Sequence, residues 1–200
     1  MAEISADTVR TLRDKTGAGM MDCKRALAET GGDLEKAVDH LRAKGLAGAA
    51  KKAGRATHEG LVYSYVHPGG RVGVLVEVNC ESDFVARTDD FIELCKDLAM
   101  QVAAASPASV RREDFDAALL ERETNIYRTQ AAESGKPAPI IEKMVQGRIE
   151  KLYKERVLLE QAFVKDPNLS VEERIRAAIA RLGENITLRR FARFQLGEEL

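Results

Sequence analysis

Residues 77–87 read EVNCESDFVAR, and this stretch carries the chain from a predicted strand into a predicted helix. Valine recurs at every second position from Val72 to Val78, which is the period of a strand with one buried face. The alternation ends in a polar run at residues 79–83. Residues 88–90, Thr-Asp-Asp, then supply N-cap chemistry for a helix that continues to about residue 105. The sequence therefore predicts a short loop that holds an acid beside an aromatic between a strand and a helix.

The same stretch resembles a signature of bacterial elongation factor Ts, the nucleotide-exchange factor of the GTPase elongation factor Tu. That signature runs Glu-x-Asn-x-(Glu/Gln)-Thr-Asp-Phe-Val-x-(Lys/Arg), and residues 77–87 match it with Ser82 in place of threonine. A second signature, Leu-Arg-x-x-Thr-Gly-Ala-Gly-Met-Met-Asp-Cys-Lys, matches residues 12–24. The two matches stand in the family's order, and the resemblance covers nearly the whole chain.

Composition is that of an ordinary soluble globular protein. The 200 residues are 44% hydrophobic and 32% charged, which suits one domain with a small appendage. With 31 Lys and Arg against 32 Asp and Glu, the net charge of −1 gives no general attraction to nucleic acid or anionic membranes. The first residues lack a signal-peptide pattern, and no apolar run is long enough to span a bilayer. We therefore expect a cytoplasmic protein that does not associate with membranes.

The residue types that carry enzyme chemistry are sparse. Three cysteines are odd in number and lack Cys-x-x-Cys spacing, which argues against a disulfide framework and against a zinc site. The three histidines stand in no recognisable nucleophile or metal spacing. The sequence has no Gly-x-x-x-x-Gly-Lys-Ser/Thr loop, so direct nucleotide binding is not expected. We therefore expect a protein that is not an enzyme and that has no catalytic residue, metal site or cofactor.

Residues 1–54 are predicted to form a small helical domain that ends in a basic linker. Ser5 and Asp33 occupy N-cap positions, and several glycines separate three short amphipathic helices, the last of which ends before Gly45. Residues 46–57 mix small and basic residues without a large apolar face, which is typical of a linker. The resemblance implies that the bundle has a ubiquitin-associated-like (UBA-like) fold.

Residues 55–200 are predicted to form the core domain. Residues 61–79 read as strand, turn and strand, and apolar alternation resumes from Ile186 to Leu196, which predicts a third strand beside the hairpin. By that alternation Arg189 and Arg193 should face solvent or a partner. The sequence thus predicts an α+β fold, in which a three-stranded antiparallel sheet packs with helices.

The helices of the core include a predicted long helical hairpin. Its two members run from about residue 113 to 133 and from Pro139 onward, because Ser-Gly-Lys-Pro at 134–137 interrupts the helical pattern. A capping box at residues 170–173 begins a further helix, for which Gly183 is the stop signal.

A homodimer formed through the core is expected. Longer members of the family carry a second sheet subdomain and a coiled-coil insertion, whereas only one subdomain fits in this chain. A three-stranded sheet with helices on one face leaves its other face or an edge to be covered. A second copy would cover it through a two-fold interface. The alternative is a monomer whose own long helices cover the sheet.

Asp83 and Phe84 have two interpretations. From the residues alone, Asp83 makes an Asx turn after the strand, and Phe84 fills the core between sheet and helix. The resemblance implies instead that the pair enters the GTPase near its magnesium and nucleotide, with the aromatic ring wedged between helices and Mg²⁺ dislocated. Ser82 and Val85 would set the geometry of this loop.

Arg13, Met20 and Met21 form the second candidate surface. Ordinary packing within the bundle explains the methionines equally well from the residues alone. The resemblance implies that the three residues dock on the nucleotide domain of the GTPase, where flexible thioethers suit a contact surface.

The resemblance thus implies a translation elongation factor that acts as a guanine-nucleotide exchange factor of elongation factor Tu. The alternative from another class is an RNA- or ribosome-associated binding protein that uses Lys51, Lys52 and Arg55, although three charges on a linker are more often simply solvated. A third possibility is an adaptor whose helical bundle alone binds helices or ubiquitin-like domains.

Overall fold

Both helices and strands are present in this computed structural model, which describes residues 4–198. The fold is α+β, as predicted, with a three-stranded antiparallel sheet and several helices. The elements are α1 (Ala6–Thr16), α2 (Met20–Glu29), α3 (Leu34–Ala50), β1 (Glu59–Val66), β2 (Val72–Cys80), α4 (Asp83–Ala86), α5 (Asp89–Ala105), α6 (Ala117–Ala132), α7 (Ala138–Arg156), β3 (Ala162–Phe163), β4 (Asp166–Ser170), α8 (Val171–Leu182) and β5 (Ile186–Gln195).

The described chain divides into two compact units. The first comprises residues up to Leu61 together with Asn79–Leu94 and Glu173–Thr187. The second comprises Val62–Val78, Cys95–Glu172 and the residues from Leu188 onward. Among residues 4–198, no helix has the length and apolar character needed to cross a membrane.

Helices α1 to α3 of the first unit form a bundle with its own apolar core. The predicted caps are present, since Ser5 Oγ accepts from Thr8 N at 3.1 Å and Asp33 Oδ1 accepts from Glu35 N at 3.1 Å. The buried core residues are Val9, Leu12, Cys23, Ala26, Leu27 and Ala37. A core of this kind favours an N-terminal domain over residues 1–54, and that division of the chain stays a prediction.

Helix α3 is longer than the sequence predicts. The prediction placed its end before Gly45, but the helix continues to Ala50 and shortens the expected linker. A Cβ at Gly45 would lie 3.1 Å from the Cβ of Ala180 on α8. Glycine therefore permits a close approach of two helices here and does not end the helix.

Helix α8 contacts the bundle at two further points. Arg42 on α3 pairs with Glu173 at 2.9 Å. The side chain of Arg181 lies beside Gly17, where a Cβ would be 3.2 Å from Arg181 Cδ. Gly17 itself ends α1 in the left-handed region at a φ of 65°, as expected for a glycine after a helix.

The second unit is built on the sheet, whose strand order is β1-β2-β5. The predicted third strand is confirmed, and it lies beside β2. Val74, Val76 and Val78 are buried, as their period of two predicts.

The alternation of buried and exposed side chains along β5 shifts by one residue partway along the strand, which the sequence did not predict. Arg189 and Arg190 follow one another, yet both reach Glu77 of β2, at 2.8 and 2.6 Å. Beyond them Phe194 is 65% exposed, whereas the side chain of Arg193 is only 11% exposed. Of the two environments predicted for Arg193, solvent is therefore wrong, because the buried face of β5 passes from even-numbered to odd-numbered positions at the two arginines.

Helices α6 and α7 form the predicted helical hairpin. Helix α6 begins at Ala117 rather than near residue 113, because Asp116 Oδ1 accepts from Leu119 N at 2.7 Å and caps the helix there. The base of the hairpin is tied by Arg112, which pairs with Glu150 at 2.8 Å and lies 4.4 Å from the ring centre of Tyr153. The small β3–β4 hairpin has no counterpart among the predictions, because its strands are too short to show a period.

Candidate partner-binding site

The loop after β2 closes as one turn of helix. Strand β2 ends at Cys80, Ser82 is the N-cap of α4, and Ser82 Oγ accepts from Val85 N at 3.3 Å. Thr88 then caps α5, because its hydroxyl accepts from Phe91 N at 3.3 Å, as residues 88–90 predicted. The predicted loop is therefore a capped turn with a fixed backbone path between two regular elements.

Phe84 lies on the surface of this turn. Its exposed fraction is 78%, whereas Val85 and Ala86 are 7% and 4% exposed. The interpretation of Phe84 as a core residue is thus wrong, because the turn of α4 directs its two neighbours inward instead. Asp83 is also exposed and pairs with Arg87 at 2.7 Å, one helical turn away.

The carboxylate of Glu184 accepts three hydrogen bonds from the loop. One carboxylate oxygen accepts from Glu81 N at 3.1 Å and from Ser82 N at 3.0 Å, and the other accepts from Ser82 Oγ at 2.6 Å. Sequence reasoning missed Glu184, since it follows Gly183 in an ordinary helix-stop pattern that carries no sign of a partner 102 residues away.

Met20 and Met21 are exposed on the first turn of α2. Their exposed fractions are 45% and 68%, while Cys23 and Ala26 of the same helix are buried. Packing within the bundle therefore does not explain the two methionines. Arg13, on α1, is also exposed.

Both candidate surfaces belong to the first compact unit. Arg181 of α8 connects their surroundings, because it lies beside Gly17 between α1 and α2 and pairs with Asp90 at 2.7 Å. Asp90 is in the first turn of α5, directly after the loop that carries Phe84. Through Arg181, helix α8 thus contacts both the turn before Met20 and the helix that follows Phe84.

The basic cluster of the linker does not consist of three unpaired cations. Arg55 approaches Glu81 at 3.5 Å, so part of its charge is balanced within the first unit. This pairing weakens the RNA-binding alternative, which relied on Lys51, Lys52 and Arg55 together.

Cys80 lies buried beneath the loop and donates its thiol hydrogen to Ser82 O at 3.1 Å. Burial, followed by the negative charge of Glu184, raises the pKa of Cys80 to about 11. The thiol is therefore protonated at neutral pH and is buried within the protein.

We expect Cys80 to resist alkylation at pH 8 in the native protein and to react within minutes in denaturant, since the thiolate is the reactive species. Peptide mass mapping after iodoacetamide treatment measures this difference. Because the pKa is raised, the contribution of the neutral thiol to stability is present below the ordinary cysteine pKa and is lost as pH rises toward 11. Rapid alkylation of Cys80 in the native protein at pH 8 would contradict the buried position of its thiol.

Known proteins resemble this chain over its full length. The family model described as Elongation factor TS matches residues 48–198. Elongation factor Ts of Syntrophomonas wolfei is 62% identical over 195 residues, which span 98% of this chain and 91% of that protein. The Desulforamulus reducens protein of the same name is 60% identical over 200 residues, which span 100% of this chain and 92% of that protein.

A third relative, elongation factor Ts of Geobacter sulfurreducens, is 61% identical over 197 residues, which span 98% of this chain and 91% of that protein. Arg13, Met20 and Met21 precede the residues that the family model matches, but the Desulforamulus alignment includes them. Relatives of this length and identity, together with the match over residues 48–198, show that the chain belongs to the elongation factor Ts family.

Proposed function

We propose that this protein is the guanine-nucleotide exchange factor of elongation factor Tu and that residues Ser82, Asp83, Phe84 and Val85 enter the GTPase beside its nucleotide. The observation that carries this proposal is Phe84, a large aromatic that is 78% exposed on a capped turn. An exposed ring on a fixed backbone can enter a partner's pocket at little cost in conformational entropy.

The proposed mechanism is a competition between two binding events. Burying one phenylalanine contributes about 1.5–3 kcal/mol, which is available only when the GTPase opens to receive the ring. Magnesium normally bridges the phosphate oxygens, so an acid and an aromatic that disturb its shell loosen the nucleotide. Asp83 supplies that acid, and Val85 and Ser82 hold the turn that presents it. The proposed mechanism involves no covalent chemistry.

The N-terminal bundle supplies a separate docking contact in this proposal. Arg13, Met20 and Met21 meet the nucleotide domain of elongation factor Tu, and their exposure leaves the two thioethers free to adapt to it. We infer a UBA-like fold for the three-helix bundle from the family resemblance, and we place the protein in the cytoplasm, where translation occurs.

Thermodynamic linkage gives the test of this proposal. If the factor weakens GDP binding, GDP must weaken the factor's binding by the same ratio. Titration calorimetry should therefore give a tighter dissociation constant with nucleotide-free elongation factor Tu than with the GDP-loaded form. Equal affinities for the two forms would contradict an exchange mechanism.

We also propose that the core forms a homodimer through the open side of the sheet. Within the second unit, apolar side chains are exposed on all three strands and on the residue that follows β5. They are Val62, Val66, Leu75, Phe194 and Leu196, and their exposed fractions lie between 44% and 68%. An apolar surface of this kind on a sheet favours pairing with a second copy.

Sedimentation equilibrium at micromolar concentration should report twice the chain mass of 22.0 kDa. Phe194→Lys should shift the protein toward the monomer, since it places a charge within the apolar surface. A wild-type species at 22.0 kDa that does not change on concentrating would rule the dimer out.

A further inference from the structure

We propose that Glu184 is a positioning residue for nucleotide exchange, whose carboxylate fixes the turn that presents Phe84. This inference rests on the proposed function, because it assigns Glu184 to the same loop. Glu184 itself need not touch the GTPase, and it acts through Ser82.

Both oxygens of the Glu184 carboxylate are engaged by the loop. Oε2 accepts from two successive backbone amides, Glu81 N at 3.1 Å and Ser82 N at 3.0 Å. Oε1 accepts from Ser82 Oγ at 2.6 Å. An ionised carboxylate is an acceptor at every lone pair, so one side chain can satisfy three donors whose positions are thereby fixed relative to each other.

The hydroxyl of Ser82 passes this constraint to the helical turn. A serine hydroxyl has a single hydrogen, and when it is donated to Glu184 the lone pairs remain for other donors. Val85 N uses one of them at 3.3 Å, which is the N-cap bond of α4. Glu184, Ser82 and Val85 thus form a chain of hydrogen bonds that ends on the residue after Phe84.

The segment that carries Glu184 is itself fixed by the loop. Asn185 N donates to Glu81 Oε1 at 2.6 Å, so the loop and the segment exchange hydrogen bonds in both directions. The Asn185 side chain, in a residue only 2% exposed, donates to Arg55 O at 2.8 Å and Ala53 O at 3.4 Å. Gly183 allows the turn that brings both residues here, at a φ of 82° that other residues rarely adopt.

This arrangement predicts an effect on rate rather than on affinity. If the turn is loosened, Phe84 still lies on the surface, but it samples orientations that do not enter the GTPase. Docking through Met20 and Met21 is unaffected. The exchange rate at saturating factor should then fall, while the factor concentration that gives half of that rate should stay nearly the same.

The test is stopped-flow release of fluorescent GDP from elongation factor Tu, with the full-length factor titrated to saturation. Glu184→Ala should lower the saturating rate by about tenfold, because hydrogen bonds to a charged group are lost and two backbone amides are left without an acceptor. Glu184→Gln keeps the shape but cannot accept the Ser82 hydrogen at its amide nitrogen, so it should lower the rate less. Glu121→Ala, an exposed change on α6, is the matched control and should behave as wild type.

A purely structural role would give a different pattern. A partly unfolded population reduces the concentration of active factor, so it would raise the half-saturating concentration and leave the saturating rate unchanged. That result, or a wild-type titration curve for Glu184→Ala, would overturn the inference. If Glu184→Ala fails to fold, a wild-type saturating rate in the folded Glu184→Gln variant would overturn it instead. Failure of the wild-type factor to accelerate GDP release would instead reject the proposed function itself.

Discussion

Phe84→Ala should reduce the rate of stimulated GDP release by about ten- to a hundredfold. The variant loses the free energy of about 1.5–3 kcal/mol that burial of the phenylalanine ring in the GTPase contributes. The fold should be retained, since the ring is 78% exposed and an exposed side chain contributes little to its own domain. Stopped-flow release of fluorescent GDP at saturating factor measures the rate, and thermal unfolding checks the fold.

Ile140→Ala is the matched control for this substitution. Ile140 is an apolar residue on α7 that is 47% exposed and lies in neither candidate surface. It should leave the release rate unchanged. A folded Phe84→Ala protein with the wild-type rate would remove this loop from the mechanism.

Met20→Ser with Met21→Ser should raise the half-saturating concentration of the factor by about tenfold, because two exposed thioethers lose their apolar contact with the partner. The saturating rate should remain close to wild type, since Phe84 still reaches the nucleotide site. The titration that measures the Phe84 variant separates these two effects.

The outcome that would contradict this docking role is a lowered saturating rate at an unchanged half-saturating concentration. Ile140→Ser again serves as the control, because it removes exposed apolar surface elsewhere. Together the two variants separate the surface that docks from the surface that displaces nucleotide.

The regular elements could be predicted because their signals are local. Alternating valines from Val72 to Val78 identified β2, and cap residues such as Asp33 and Thr88 marked helix starts that the structure confirms. The end of α3 could not be predicted in the same way. Gly45 signals a helix stop in the sequence, and only the approach of Ala180 explains why the helix continues.

The sequence pointed to the candidate residues, and their role stays a prediction, but it did not predict the geometry in which the structure places them. Phe84 lies outward because α4 forms a single turn that buries Val85 and Ala86, and a segment of four residues is too short to show a helical period. Glu184 was missed because its contact with Ser82 spans 102 residues, and no local pattern records such a contact. The one-residue shift in the alternation along β5 is likewise visible only once Arg189 and Arg190 are seen to share Glu77.

The dissociation rate of labelled GDP from elongation factor Tu, measured with and without this protein under an excess of unlabelled GDP, tests the proposed exchange function most directly. We predict that the rate rises with factor concentration to a plateau, because a complex of factor, GTPase and nucleotide forms and then loses the nucleotide. A folded, full-length protein that leaves the dissociation rate unchanged at every concentration would contradict it.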